Sequence, residues 1–162
     1  LARATIGGCD LDKHWSNIES DKASYSFAVN DDGDWEDSAN SSAARLSDVL
    51  TMEEWDVIVI QQVSQKSGLP DTYDNLQNII DYIKENCPTA KIMWQMTWAY
   101  QSDSTHSGFK NYNNDQMTMY KAITDTTNEH IVSNPDIVGI IPSGTAIQNL
   151  RTVIGDTLTQ AN

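Results

Sequence analysis

Four short segments bring polar, aromatic and glycine residues to the ends of predicted strands. They are residues 7–9 (Gly-Gly-Cys), 61–64 (Gln-Gln-Val-Ser), 97–100 (Thr-Trp-Ala-Tyr) and 143–145 (Ser-Gly-Thr). Such groups can hold a ligand, and in parallel sheets ligands bind at the carboxyl ends of the strands. The strand ends therefore predict a binding site, although loops are polar in most proteins.

The histidines are the side chains suited to acid–base chemistry near neutral pH. His106 stands in a polar loop, with Asp103, Ser104 and Ser107 close to it in sequence. A substitute catalytic base would need a neighbouring acid and a nucleophile, but adjacency in a loop is poor evidence for such a triad. We therefore interpret His106 as a candidate ligand-binding residue.

The other histidines and the cysteines have simpler interpretations. His14, beside Trp15, either lines a pocket or caps and packs within the fold, and His130 is predicted to lie on the surface of a helix. Cys9 and Cys87 are predicted to be two ordinary thiols, since a disulfide would form only if the fold brought them together. The histidines and cysteines are too scattered along the chain for a zinc site.

An acidic stretch between Asp31 and Glu36 invites a calcium interpretation. The EF-hand loop needs its glycine at the sixth position, after alternating acidic groups. Gly33 comes too early for that pattern. A solvated turn is therefore favoured over a metal site.

Apolar patterns predict the strands that position these groups. Alternating or unbroken apolar runs indicate strands at residues 4–6, 24–29, 55–60, 91–97 and 136–141. The run at 55–60 is almost continuously apolar, which is typical of a strand covered on both faces. The turn sequence at residues 30–33 predicts that the strand at 24–29 enters a hairpin.

Helical spacing predicts segments at residues 11–18, 41–50, 73–83, from about 113, and 144–150. The helix at 73–83 is expected to be capped by Asp71 or Thr72 and to stop before Pro88. Met119, Tyr120 and Ile123 are expected to face inward. Strands alternate with helices after residue 40, and this order implies a parallel sheet with helices on both faces.

Five motifs follow one another in a fixed order along the chain. They read Gly-Gly-Cys-x-Leu-x-x-His-Trp from Gly7, Gln-Gln-Val-Ser from Gln61, Gln-Met-Thr-Trp-Ala-Tyr from Gln95, Thr-His-Ser-Gly-Phe from Thr105, and Asn-Tyr-Asn-Asn-Asp-Gln-Met from Asn111. In this order and spacing the chain resembles a bacterial branch of the SGNH/GDSL hydrolase superfamily. The resemblance spans nearly all 162 residues.

The resemblance implies an α/β fold, a flavodoxin-like three-layer α/β/α sandwich with a mostly parallel sheet. It also implies a serine hydrolase in which Ser attacks the carbonyl, His takes its proton and Asp holds the imidazole. The family places the nucleophile in a Gly-Asp/Asn-Ser motif after the first strand and an Asp-x-x-His pair near the C-terminus. We expect both segments, with the first strand and the C-terminal helix, to lie outside these 162 residues. The chain alone is therefore expected to be inactive.

The resemblance also implies roles for particular residues. Gly8, or its neighbour Gly7, matches the glycine whose backbone N–H faces the oxyanion. Gln62 lies near the position of a family Asn donor, with Gln61 and Ser64 as alternatives. The candidate substrate-binding residues are His14, Trp98, Tyr100 and His106. Trp98 and Tyr100 are expected to stack on a sugar ring.

The implied function is an esterase that removes acyl groups, often acetyl, from carbohydrate. The alternatives are a noncatalytic carbohydrate-binding or scaffold domain and, ranked last, a flavodoxin-like cofactor-binding domain. No cofactor is expected, because the chain has no Gly-x-Gly-x-x-Gly loop. The resemblance favours a secreted or periplasmic location.

The overall charge limits the partners. The chain carries 23 acidic and 10 basic residues, a net charge of −13. Nucleic acid and anionic membrane surfaces are disfavoured because both need Lys and Arg. A neutral or cationic partner fits better.

Overall fold

The computed structural model describes residues 1–30 and 41–156. These residues form two compact units. The first contains Leu1–Asp56 and Asp74–Ala90, and the second contains Val57–Tyr73 and the chain from Lys91 onward. The acidic stretch that invited a calcium interpretation, residues 31–36, lies outside the described residues.

The sheet of the first unit is antiparallel. Its strands are β1 (Ala2–Thr5), β2 (Tyr25–Val29) and β3 (Ser41–Ala44), in the order β1-β2-β3. Tyr25 and Phe27 are buried on one side of β2, as the alternation of residues 24–29 predicted. The antiparallel pairing of β2 with β3 confirms the hairpin, while most of its turn lies outside the described residues.

Two predictions for this unit were wrong. Residues 41–50 were expected to form one helix, but Ser41–Ala44 pairs with β2 and only Leu46–Thr51 (α2) is helical. Arg45 has an extended backbone, which separates the two elements. β1 was expected in the parallel sheet; it pairs antiparallel with β2 instead.

Helices α1 (Leu11–Glu19) and α3 (Leu76–Asn86) contact each other within the first unit. The α1 N-terminus is capped by Asp10, whose carboxylate accepts from the Lys13 N–H at 2.8 Å. α3 ends shortly before Pro88, as predicted. It buries the apolar stripe that the sequence spacing predicted, which consists of Leu76, Ile79, Ile80 and Ile83. The core of this unit therefore combines the buried side of α3 with the buried residues of β2.

The start of α3 was predicted too early. Asp71 and Thr72 belong to a single 3₁₀ turn, Pro70–Thr72, and do not cap α3. The Thr72 hydroxyl donates to the Leu69 carbonyl at 2.7 Å, within its own turn. The helix begins at Leu76 after that turn has ended.

The sheet of the second unit is parallel. Its strands are β4 (Val57–Ile60), β5 (Lys91–Gln95) and β6 (Ile137–Ile141), in the order β4-β5-β6. Ile92 and Trp94 of the central strand are almost fully buried. The fold is mixed α/β with a parallel sheet flanked by helices, which confirms the class expected for a three-layer sandwich.

One face of β4 is less covered than its sequence indicated. Val57 and Val59 alternate with Ile58 and Ile60, and they are 45% and 47% exposed. The continuous apolar run predicted burial on both faces, but among the described residues one face of β4 is exposed and Ile58 and Ile60 on the other are only half-buried. Within the described part of the chain, no helix is long and apolar enough to cross a bilayer.

Helix α4 (Gln116–Thr127) begins at Asp115, whose carboxylate accepts from the Thr118 N–H at 2.7 Å. Met119 and Ile123 are buried as predicted, whereas Tyr120 is only half-buried. A π turn, Asn128–Val132, continues the helix.

The π turn places His130 differently from the prediction. His130 was expected on the surface, but its ring stacks on the buried Tyr73 with centroids 5.0 Å apart. The prediction rested on the neighbouring Asn128 and Glu129, which do not reveal a contact with a residue distant in sequence, and the His130 side chain is 30% exposed.

Helix α5 (Ser143–Ile154) begins against the end of β5. The Gly144 N–H donates to the Met96 carbonyl at 3.1 Å, and a Cβ at Gly144 would lie 2.1 Å from the Thr97 carbonyl oxygen. Because the obstacle is backbone, only glycine fits this approach.

We expect the substitution Gly144→Ala to lower the free energy of unfolding by about 1–3 kcal/mol, since the added methyl group must displace main chain. Urea denaturation monitored by circular dichroism measures this loss. Gly7→Ala is the matched control, because a Cβ at Gly7 meets nothing within 4 Å. Equal stability of the two variants would contradict the close approach.

The cysteines are free, as predicted, and both are buried. Burial, followed by the nearby Asp10 carboxylate, raises the pKa of Cys9 to about 11. The Cys87 thiol donates to the Leu50 carbonyl at 3.1 Å, and burial raises its pKa as well. Neither thiol is set up as a nucleophile.

We therefore expect neither cysteine to react with a water-soluble disulfide reagent at pH 8 in the native protein. In guanidinium chloride both thiols should react fully. Rapid modification of one thiol in the native protein, measured by absorbance, would contradict the burial described above.

Candidate functional site

The loops that follow β4 and β5 meet through buried hydroxyl groups in the second unit. The Thr97 hydroxyl donates to the Ser67 hydroxyl at 2.6 Å, and Ser67 donates to the Val63 carbonyl at 2.9 Å. The ends of two neighbouring strands are thereby joined by a short hydrogen-bonded chain. This contact fixes the carboxyl edge of the sheet on which a ligand would rest.

Two buried tyrosines hold the loop after β4. The Tyr73 hydroxyl donates to the Ser67 carbonyl at 2.9 Å. The Tyr112 hydroxyl accepts from the Gly68 N–H and donates to the Gln65 carbonyl, both at 3.1 Å. Burial raises the pKa of both phenols, so they remain protonated donors. The loop is therefore a fixed support.

Gln62 is fully buried (0% exposed) beside this support. Its Nε2 donates to the carbonyl and the hydroxyl of Thr72, at 3.0 and 3.2 Å, and its Oε1 accepts from the Val63 N–H at 2.9 Å. The side chain thus satisfies backbone groups at the strand end. To donate to a ligand oxygen it would have to leave Thr72. Gln61 next to it is exposed.

Three aromatic residues follow β5, the exposed Trp98 and His106 and the half-buried Tyr100, and we call them the aromatic ledge. Trp98 is 37% exposed. The Tyr100 ring lies 4.8 Å from that of His106 and meets the fully buried Phe109 edge-on at 5.7 Å. Burial, followed by the nearby Tyr112, raises the pKa of Tyr100 to about 12. Tyr100 is thus anchored in the core and keeps a neutral hydroxyl.

The hydrogen bonds of His106 do not match those of a catalytic base. Its Nδ1 accepts from the Gly108 N–H at 3.0 Å, so the proton of the neutral ring is on Nε2. Asp103 and His106 have an Asp-x-x-His spacing that the sequence analysis overlooked. In a triad the Asp accepts from Nδ1–H, but here Nδ1 is itself the acceptor.

An ion pair lies behind the ledge. Arg151 is buried (6% exposed), and its Nε lies 2.7 Å from Asp156 Oδ1. Arg151 Nη2 donates to the Ala99 carbonyl at 3.1 Å, and Asp156 Oδ2 accepts from the Ser102 N–H at 2.6 Å. Both charged groups therefore bind the main chain of the loop that carries Trp98 and Tyr100.

Two glutamines complete this network, and we call Gln116, Gln148, Arg151 and Asp156 the loop clamp. Gln116 Nε2 donates to the Tyr100 carbonyl at 3.0 Å and to Asp156 Oδ2 at 2.8 Å. Gln148 donates to Gln116 Oε1 at 3.2 Å and accepts from Arg151 Nη1 at 3.2 Å. The sequence analysis missed these residues. For Gln148 and Arg151, the sequence feature that could have found them is their helical spacing with Gly144 on the buried side of α5.

The charge of Asp156 is stabilised by its surroundings. Partial burial alone would raise its pKa, but hydrogen bonds from Ser102 and Gln116 and the charge of Arg151 outweigh that effect and lower the pKa. The carboxylate is therefore ionised throughout the neutral range.

The remaining candidates, Gly8 and His14, lie in the first unit. Gly8 has φ +67° in a turn closed by the Cys9 N–H to the Ile6 carbonyl at 3.3 Å, and the space where a Cβ would point is open. His14 Nδ1 lies 2.9 Å from the Tyr25 hydroxyl, and the two rings stack. Burial lowers the pKa of His14. His14 thus packs within its unit, as one of its two interpretations held.

The predicted residues are therefore distributed over both units. In the second unit, Tyr100 and His106 are in direct contact, whereas Gln62 is directed at Thr72. Within residues 1–30 and 41–156, no group of three or more His, Cys, Asp or Glu side chains is placed to hold a metal ion.

These features define an α/β domain whose parallel sheet presents a fixed polar edge and an aromatic ledge at the carboxyl ends of its strands. The chain belongs to the DUF4886 family, described as a domain of unknown function, whose model matches residues 1–160. A crystal structure of a DUF4886 family protein from Bacteroides uniformis ATCC 8492 is similar, with 38% sequence identity and a TM-score of 0.86. The match covers 96% of this chain and 60% of that protein. No curated protein matches the chain.

The ion pair makes a prediction for stability. Asp156→Asn leaves Arg151 buried without its counter-ion, so the free energy of unfolding at pH 7 should fall by about 2–3 kcal/mol. Because the folded-state pKa of Asp156 is lowered, its stabilisation is present above the unfolded value of about 3.9 and is lost as pH falls through the folded value.

Urea denaturation at pH 7 and at a series of pH values below 4 measures both effects, and the stability difference between the two proteins should shrink as the pH falls. Asp125→Asn is the control, since Asp125 pairs with Lys121 on the surface, where such pairs contribute less than about 1 kcal/mol. A stability difference for Asp156→Asn that does not change with pH would contradict the role of its charge.

Proposed function

We propose that the protein is an SGNH-type serine esterase that removes acyl groups, acetyl foremost, from carbohydrate. The exposed aromatic ledge at the end of the central strand carries this proposal. Trp98 offers exposed ring surface, and Tyr100 offers a ring fixed against Phe109. Aromatic rings with one polar end suit a sugar, which has an apolar face and hydroxyl groups at its rim.

Charge supports a neutral carbohydrate as the substrate class. The net charge of −13 repels anionic ligands, and the side chains of the ledge carry no fixed charge. Acetylated neutral polysaccharides such as xylan meet both conditions.

The resemblance assigns the oxyanion donors to Gly8 and to the glutamine pair that follows β4. Gly8 lies in an exposed turn, and the space where its Cβ would point is open. Gln62 commits its amide to Thr72, so the exposed Gln61 is the more accessible amide of the pair. A donor aimed at the oxyanion contributes roughly 3–4 kcal/mol to the transition state in a well-studied protease.

The nucleophile and its base are assigned by resemblance alone. The SGNH/GDSL superfamily places them in Gly-Asp/Asn-Ser and C-terminal Asp-x-x-His segments, and residues 1–162 contain neither at the corresponding positions. We therefore expect acyl transfer only in a longer protein that carries both segments.

The test of activity compares this 162-residue chain with a longer protein that carries those segments. Acetate release from p-nitrophenyl acetate and from acetylated xylan should occur with the longer protein and not with the chain alone. Activity of the chain alone would overturn the assignment of the nucleophile and direct attention to Asp103 and His106. Sugar binding without hydrolysis by the longer protein would favour the noncatalytic carbohydrate-binding domain.

The ledge can be tested on the chain itself. Trp98→Ala should weaken binding of xylohexaose about tenfold or more, which corresponds to about 1.4 kcal/mol, because a stacking surface is lost. Isothermal titration calorimetry measures the change. Tyr82→Ala, at a half-buried tyrosine on α3, is the control. Unchanged affinity in Trp98→Ala would remove Trp98 from the site.

A further inference from the structure

The loop that carries Trp98 and Tyr100 is held mainly by side chains. The Ala99 carbonyl accepts from Arg151, the Tyr100 carbonyl accepts from Gln116, and the Ser102 N–H donates to Asp156. The Tyr100 N–H lies 3.3 Å from Met119 Sδ. Backbone groups that strands would pair with each other are satisfied here by helices α4 and α5 and by Asp156, two residues after α5.

Stability alone does not explain why the loop clamp contains a buried ion pair. A buried charge costs several kcal/mol to desolvate, and apolar residues of similar size often stabilise a fold as well or better. Arg151 is buried and nevertheless carries its charge into contact with the Ala99 carbonyl. Directional bonds from a guanidinium and a carboxylate fix the orientation of main chain, which apolar packing does not.

We propose that Arg151 and Asp156 are positioning residues, which set the orientation of Trp98 and Tyr100 toward a carbohydrate ligand without touching it. This inference rests on the proposed function for the identity of the ligand. The rigidity of the site then depends on two residues outside the ledge. A ring that is already oriented loses less conformational entropy when the sugar binds.

Positioning and stability can be separated by replacing both partners. The single variant Arg151→Met leaves Asp156 without its counter-ion and should destabilise the whole unit. The double variant Arg151→Met with Asp156→Leu removes both charges and should be more stable than the single variant, since no buried charge is left without its counter-ion. In the double variant the Ala99 carbonyl and the Ser102 N–H still lack their partners.

The experiment uses the 162-residue chain and two readouts on the double variant. Amide hydrogen exchange by NMR should be at least about tenfold faster at Ser102, and the Trp98 indole resonance should shift or broaden. Xylohexaose, as the probe, should bind about tenfold more weakly by calorimetry. Asp125→Asn is the control and should match the wild-type chain in both readouts.

The outcomes distinguish the inference from the proposed function. If exchange at Ser102 and the Trp98 resonance do not change in a stable double variant, the positioning role is overturned. If exchange accelerates but the wild-type chain does not bind xylohexaose, the positioning role is supported and the carbohydrate ligand is overturned. If exchange accelerates while the affinity stays the same, the clamp orders the loop without orienting the ledge, and the inference is wrong.

Discussion

A guanidinium buried in α5 constrains the second unit more than any other group described above. Arg151 cannot be solvated where it lies, so Asp156, Gln148 and the Ala99 carbonyl must surround it. These partners come from α5, from Asp156 two residues beyond it and from the loop after β5. The groups that stabilise the Arg151 charge therefore hold α5, Asp156 and the loop after β5 together. In the proposal made above, this requirement also sets the orientation of Trp98 and Tyr100.

Much of the fold could be predicted because local patterns and tertiary packing agree. The apolar spacing in α3 matches the stripe that it buries, and the central strand β5 is where its sequence placed it. The predictions failed where long-range pairing overrides local propensity. Ser41–Ala44 favours helix as readily as strand, and only its pairing with β2 decides between them. β1 was predicted as a strand, but its sequence does not show which strand it pairs with.

The candidate site was predictable in its location but not in its supports. Parallel strands end at one edge by geometry, and the residues after β5 were found from this rule. The loop clamp escaped because the buried side of α5 carries Gln148 and Arg151, while Leu150 and Val153 are exposed. A hydrophobic pattern cannot reveal a helix whose inward side is polar. Gln62 was predicted as a candidate, but its hydrogen bond to Thr72 could not be predicted, because it depends on a turn ten residues away.

The π turn after α4 has a consequence for how this chain tolerates insertions and deletions. A π turn contains an extra residue relative to an α turn, so deletion of one residue from Asn128–Val132 would rewind it as α-helix. Each residue of an α-helix advances the chain by about 100°, and everything that follows would rotate by that amount. The stacking of His130 on Tyr73 would be lost, and β6 would arrive out of phase. Substitutions in this segment change a contact, whereas a change of its length alters the architecture.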